Sequence, residues 1–188
     1  MINTTKKYYA PENILGDSIE LYNKQSLLYK NFEIIDSDSS EHPKYDLLDN
    51  NTGIKFECKS CKNAGYTDNL FFEVWDNYPK KKGNILESEA SVWIYNVLDW
   101  DEEAKQYIPV FILYIDFFAL KEYITTECRI GRLKARFKHK GNANQGYVLI
   151  KFENIIPFLI NPDRLLDFCV VKAYIGDDIP SEYYMDYQ

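Results

Sequence analysis

Residues 45–59, YDLLDNNTGIKFECK, constrain the fold more than any other stretch of the chain. Asn50, Asn51, Thr52 and Gly53 form a turn signal, because Asn and Gly reach the positive φ values that tight turns require. The flanks then pair as a β-hairpin, with Asp49 opposite Ile54, Leu47 opposite Phe56 and Asp46 opposite Glu57. Side chains alternate along a strand. Tyr45, Leu47, Ile54, Phe56 and Cys58 therefore form an apolar face, and Asp46, Leu48, Lys55, Glu57 and Lys59 form the other. Two carboxylates opposed across a strand pair, roughly 5 Å apart, destabilise a sheet unless positive charge lies between them. A divalent cation meets that need, and the Lys59 ammonium lies one pleat along the same face.

The rest of the chain supplies a framework for this hairpin. Asp17 has the form of an N-cap with Glu20 at N3, opening a helix over 18–30 with Leu15, Ile19, Tyr22, Ser26 and Tyr29 at helical spacing. Residues 1–13 read as a loose arm, 32–35 as a short strand and 36–44 as a polar loop. Strands are expected over 70–75, 91–98, 109–115 and 147–152, and helices near 85–90, 117–125 and 163–168. The order is a helix, a meander of three strands formed by the hairpin and 70–75, a short helix and further strands. That order predicts one α/β domain over 1–188 with a mixed central sheet, ending in a frayed tail.

Composition excludes several classes. The start of the chain is polar, without an apolar h-region, and the apolar run 108–120 is interrupted by Asp116 and too short to span a bilayer. A cytoplasmic protein without membrane association is expected. Cys58 and Cys61 have CxxC spacing, but Cys128 and Cys169 are isolated, so a structural role is read for all four. The net charge of −7 argues against indiscriminate polyanion binding, yet positive charge is clustered. Residues 129–140 hold Arg129, Arg132, Lys134, Arg136, Lys138 and Lys140 with no acid, and Lys80, Lys81 and Lys82 form a second knot. On an extended strand Arg132, Lys134, Arg136 and Lys138 would line one face. The acids Asp177, Asp178, Glu182 and Asp186 sit in the tail.

Pro43-x-x-Asp46 followed by Glu57-x-Lys59 resembles the PD-(D/E)XK nuclease motif. The flanking residues Thr67 to Glu73, Lys82 to Ile85, Ser88 to Ala90, Val92 to Tyr95 and Asn144 to Ile150 are similar to a phage-encoded branch of that superfamily. The resemblance covers about 15–152, leaving 153–188 as a C-terminal extension, and implies a restriction-endonuclease-like α-β-β-β-α-β core. It also implies a DNA endonuclease in which Asp46, Glu57 and the Cys58 carbonyl hold Mg²⁺ or Mn²⁺. Lys59 would then orient the attacking water or stabilise the charged phosphorane. The basic segments would contact the DNA backbone. A homodimer would suit cleavage of both strands.

Several alternatives stand open at this level. Asp46, Glu57 and Lys59 could be a surface salt-bridge cluster. Glu20 is either the helix cap or a further site carboxylate, and Glu73 either a site carboxylate or a solvated strand residue. A catalytically silent relative that binds nucleic acid or a protein partner is the competing function. An α/β interaction module with a coincidental motif is the third.

Overall fold

The computed structural model describes residues 11–36, 44–62, 64–140 and 143–173. In chain order the elements are α1 (Pro11–Tyr29), β1 (Ile34–Asp36), β2 (Leu47–Asp49), β3 (Lys55–Cys61), α2 (Ala64–Thr67), β4 (Asn69–Asn77) and β5 (Lys81–Lys82). They continue with α3 (Asn84–Glu87), β6 (Val92–Asp101), β7 (Gln106–Asp116), α4 (Phe117–Arg129), β8 (Arg136–Lys140), β9 (Ala143–Lys151), β10 (Leu159–Ile160) and α5 (Leu165–Ala173). The chain is α/β, with a mixed six-stranded sheet ordered β1-β2-β3-β6-β7-β10 and a second, four-stranded sheet ordered β5-β4-β9-β8.

The hairpin forms in the register its turn dictates. Leu47 pairs with Phe56 and Leu48 with Lys55, Gly53 adopts φ 71°, and the Asp49 and Gly53 N–H groups close the turn onto the Ile54 and Asp49 carbonyls. The Asp49 side chain, fully buried, accepts from the N–H of Glu33 at 2.9 Å, the N–H of Thr52 at 3.0 Å and the Thr52 hydroxyl at 2.6 Å. One carboxylate thus ties the β2–β3 turn to the start of β1.

α1 begins at Pro11, seven residues before the expected start. Proline at the first helical position has no N–H to leave unpaired, so Asp17 and Glu20 lie within the helix and the capping explanation for Glu20 falls. The helix face is also rotated from the expected one: Ile19, Asn23 and Leu27 are buried, whereas Tyr22 and Tyr29 are exposed. The helix stops at a Schellman motif, with Asn31 at φ 66° and the Asn31 and Phe32 N–H groups bonded to the Leu28 and Leu27 carbonyls. Phe32 then packs in the same cluster as Leu27.

The expected meander is corrected. β1, β2 and β3 form it, while the strand expected as its third member, β4, belongs to the second sheet. β3 instead pairs in parallel with β6, placing Glu57 beside Trp93 and Lys59 beside Tyr95. Alternation gives β3 two kinds of neighbour. Phe56 joins Leu27, Ile94 and Phe168 under α1 and α5. The Glu57 face turns toward the core between the sheets, where Trp93 stacks on Phe72 and Phe117 at ring separations of 5.6 and 4.4 Å. Pro43, residues 1–10 and the acidic tail lie outside the described residues. Among those described, no helix is long and apolar enough to cross a membrane.

Candidate functional site

The site grows from the place where β2 ends and β3 continues. The Asp46 N–H still bonds the Phe56 carbonyl at 2.9 Å. The Asp46 carboxylate then takes over from the missing backbone and accepts the Cys58 N–H at 2.6 Å. Successive residues of a strand direct their backbone polar groups to opposite edges, so the Cys58 carbonyl leaves β3 on this same edge. Tyr45 departs from the expected apolar face: it packs with the cluster between the sheets, where the Lys55 ammonium lies 4.9 Å from its ring centre.

Glu57 is almost wholly enclosed, its side chain only 7 % exposed. α3 and the residue after it hold the carboxylate, with Asn84 Nδ2 donating at 3.3 Å and Ser88 Oγ at 3.2 Å. Gly83 makes this possible. A Cβ there would lie 2.8 Å from the Glu73 carbonyl oxygen, the Glu73 side chain and the Val74 carbonyl carbon, so a side chain would push α3 off β4. Lys59 Nζ completes the set 2.6 Å from Glu57. Burial raises the Glu57 carboxyl above its ordinary range; the Lys59 ammonium opposes that rise and Asp46 adds to it. Burial alone would weaken the Lys59 ammonium, but Glu57 and Asp46 outweigh it and hold its pKa above the ordinary lysine value.

Two cavities meet at this ion pair. One, of about 260 Å³, is lined by α1 residues including Asp17, Ile19 and Glu20 together with Asp46, Cys58, Lys59 and Ser60. The other, of about 180 Å³, is lined by Glu57, Glu73, Asp76, Lys81, Lys82, Asn84, Glu87, Ser88 and Lys44. Glu20 therefore stands with Asp46 and Glu73 with Glu57; the two flank the ion pair from opposite sides and do not share a position. Burial first, and then Asp46, Asp17 and Asp36, push the Glu20 carboxyl up to about 7, with Lys59 pulling the other way. Glu73 is hydrogen-bonded by the buried Gln145 of β9.

The basic residues divide. Lys81 and Lys82 border the Glu57 cavity, with Lys81 paired to Asp76 at 2.7 Å, and Lys80 is exposed beside them. Arg136 and Lys138 lie on β8 in one row with β9: Arg136 pairs with Tyr147 and Lys138 with Gln145, and Tyr147 pairs in turn with Glu73. Cross-strand partners share a face, so the β8 cations occupy the sheet surface that leads to Glu73. Arg132 and Lys134 do not join them. Gly131 at φ 78° turns the chain after α4, β8 begins only at Arg136, and Arg132 pairs with Glu127 at 3.6 Å. Arg129 is the last residue of α4, and Lys140 ends β8.

Asn84 and Ser88, the groups that hold Glu57, carry no sequence signal for that role, because they reach it from 27 and 31 positions away. Cys58 and Cys61 pack in different clusters, since a spacing of three on a strand sends side chains to opposite faces. Among the described residues no three His, Cys, Asp or Glu side chains converge as a ready metal-binding group. Asp46 and Glu57 are each already engaged by protein donors. No family model, curated protein or solved structure matches the chain.

Proposed function

We propose that this chain is a divalent-cation-dependent DNA endonuclease of the PD-(D/E)XK type. One observation carries the reading: Asp46 and Glu57 are fixed on the rim and floor of β3 with the Lys59 ammonium 2.6 Å from Glu57. The element order supports it, because α1 and the β1-β2-β3 meander are followed by a connection through α2, β4, β5 and α3 to β6, which lies parallel beside β3. The donor types also fit Mg²⁺ or Mn²⁺, because the Asp46 and Glu57 carboxylates and the Cys58 carbonyl are all hard oxygens. Asp46, Glu57 and that carbonyl would hold the cation, which when bound supplies Lewis-acid stabilisation of the phosphate and a more acidic water.

The chain's own residues do the remaining work. Lys59, held charged by its two acidic neighbours, offers a proton donor and a compact positive charge for a pentavalent phosphorus. Ser88 and Asn84 fix the Glu57 carboxylate so that it need not reorganise. Glu20, with a pKa of about 7, can hold or release a proton near neutral pH. Lys81, Lys82, Arg136 and Lys138 neutralise backbone phosphates on the approach. The silent-binder alternative draws on the engagement of both carboxylates by protein donors.

Supercoiled and linear DNA incubated with Mg²⁺, Mn²⁺ or EDTA, alongside Asp46→Ala and Lys59→Ala, tests the reading. The expected outcome is metal-dependent cleavage by the unaltered chain and none by either variant. Cleavage that survives EDTA or both substitutions refutes the site, and DNA binding without cleavage under every condition supports the silent binder.

A further inference from the structure

We propose that Lys121 is a positioning residue for Glu57, clamping the end of α3 so that the Ser88 hydroxyl stays on that carboxylate. The proposal rests on the nuclease reading for what Glu57 does, and on the packing of α4 against α3 for the clamp. α3 has four residues, too few to hold a helix by themselves, and the carbonyls at its end have no partner within the helix. Lys121 Nζ supplies one, donating to the Leu86 carbonyl at 3.2 Å and the Ser88 carbonyl at 3.4 Å.

The clamp has a fixed base. The Phe117 N–H bonds the Ser91 carbonyl at 3.0 Å, the Phe117 ring stacks on Trp93, and Asp116 caps α4 at the Ala119 N–H while pairing with Lys172 at 2.8 Å. Lys121 lies four positions after Phe117 and so on the same helix face, its Nζ 5.8 Å from the Phe117 ring centre. What it holds is finely placed. Ser88 Oγ accepts the Ala90 N–H at 3.2 Å and stands 3.1 Å from the Lys44 carbonyl oxygen and 3.2 Å from Glu57 Oε2. A hydroxyl has one proton for these two acceptors, and the Lys44 carbonyl already receives the Glu89 N–H at 2.9 Å. A shift of a few tenths of an ångström at residue 88 therefore decides whether Glu57 keeps its donor.

A salt bridge does not account for this lysine. Among the described residues its ammonium enters no ion pair and bonds carbonyls instead. Glu89, the acid that acts on it, is held by Lys44 and Lys55. Burial, and then the Lys82 ammonium, draw its pKa below the ordinary lysine value, so the charge is kept here at a cost. The groups that hold a metal-ligating carboxylate set its orientation and its readiness to bind. Lys121 thus acts on Glu57 through Ser88, from 64 positions away in the chain and without touching the carboxylate.

Lys121→Met, Lys121→Arg, Ser88→Ala and the combined Lys121→Met and Ser88→Ala variant of the full chain, assayed for Mg²⁺-dependent cleavage of linear DNA, test the clamp. Lys121→Met is expected to lower kcat on the order of tenfold with KM unchanged, and Lys121→Arg to restore it. The combined variant should be no slower than Ser88→Ala alone, because both changes remove the same hydrogen bond. Mn²⁺ titration without DNA gives a second reading, in which affinity falls in Lys121→Met and recovers in Lys121→Arg. Fluorescence anisotropy in EDTA should show DNA binding unchanged. Urea unfolding establishes that each variant is folded, and Lys121→Gln replaces Lys121→Met if the latter is not. Unaltered cleavage and Mn²⁺ affinity in the folded variant overturn the clamp, as do losses that add to those of Ser88→Ala. Weakened DNA binding would overturn it too, by making Lys121 a phosphate contact. An unaltered chain that neither binds Mn²⁺ nor cleaves DNA refutes the nuclease reading itself, and the clamp with it.

Discussion

Glu20→Gln should stabilise the folded protein above neutral pH while impairing its proposed activity. The Glu20 carboxyl rises from 4.5 to about 7 on folding, through burial and the negative charge of Asp46, Asp17 and Asp36. Because the folded-state pKa is the higher one, the penalty is absent below pH 4.5, develops as pH rises and is complete above about 7. A shift of this size corresponds to about 3 kcal/mol for a fully enclosed group, and solvent screening of a half-exposed carboxylate reduces it to ~1–2 kcal/mol. Glutamine keeps the shape and removes the charge. For a chain of this length the gain is about 2–8 °C in Tm at pH 8, shrinking to nothing by pH 4. Thermal unfolding of both proteins across that range reads the difference directly, since every other titrating group is common to the two. Equal melting at pH 8, or a constant difference at all pH values, would refute the charge crowding assigned to Glu20.

Other perturbations probe the supports of the site. Asp49→Ala should cost ~2–4 kcal/mol in urea unfolding, because it orphans two N–H groups and a hydroxyl around a fully buried position. Lys59→Met should lower stability by about 1–3 kcal/mol at pH 8, with Glu57 left to Ser88 and Asn84. That loss should fade as the carboxyl protonates and vanish below pH 4.5, which a pH series of denaturation midpoints measures. Gly146→Ala should cost ~1–3 kcal/mol by forcing Phe137 and Trp75 apart, seen as a shifted tryptophan emission and a lower midpoint.

What was legible in the sequence depended on how local its cause was. The hairpin register followed from four turn residues and alternation, and the structure reproduces it at Leu47–Phe56. Alternation says which face a side chain takes but not which strand lies beside it, so chain order alone puts β4 beside β3, where the structure has β6. The Asp17 and Glu20 pattern is compatible with a cap or with a helix interior, and Pro11 decides for the interior. The alternation of Arg132, Lys134, Arg136 and Lys138 would line one face only on a continuous strand, and Gly131 turns the chain so that β8 begins at Arg136. Asp46, Glu57 and Lys59 could be singled out within one hairpin. Asn84, Ser88 and Gly83 could not, since their contacts arise only when the crossover folds α3 onto β4 and β3.

The energetics of this cluster argue against a merely structural role. Surface pairs such as Lys105 with Glu102, both more than two-thirds exposed, contribute about 0–1 kcal/mol and cost little to form. Glu57 is different, because its side chain is 7 % exposed and Asp46 acts on it. An apolar pair of similar volume would hold β3 against α3 at least as well, without the desolvation cost. Three separate devices limit that cost: the Cys58 N–H on Asp46, the Ser88 and Asn84 donors on Glu57, and the Lys59 ammonium. Glu20, crowded by Asp46, Asp17 and Asp36 and partly buried, is pushed up to about 7. An arrangement that crowds acids, stiffens two of them and leaves the third poised near neutrality is costly to stability and suited to cation and proton chemistry. On the nuclease reading, Glu20 and Glu73 no longer compete for one coordination position. Glu20 belongs to the Asp46 side of the ion pair and Glu73, through Gln145, to the wall that receives DNA.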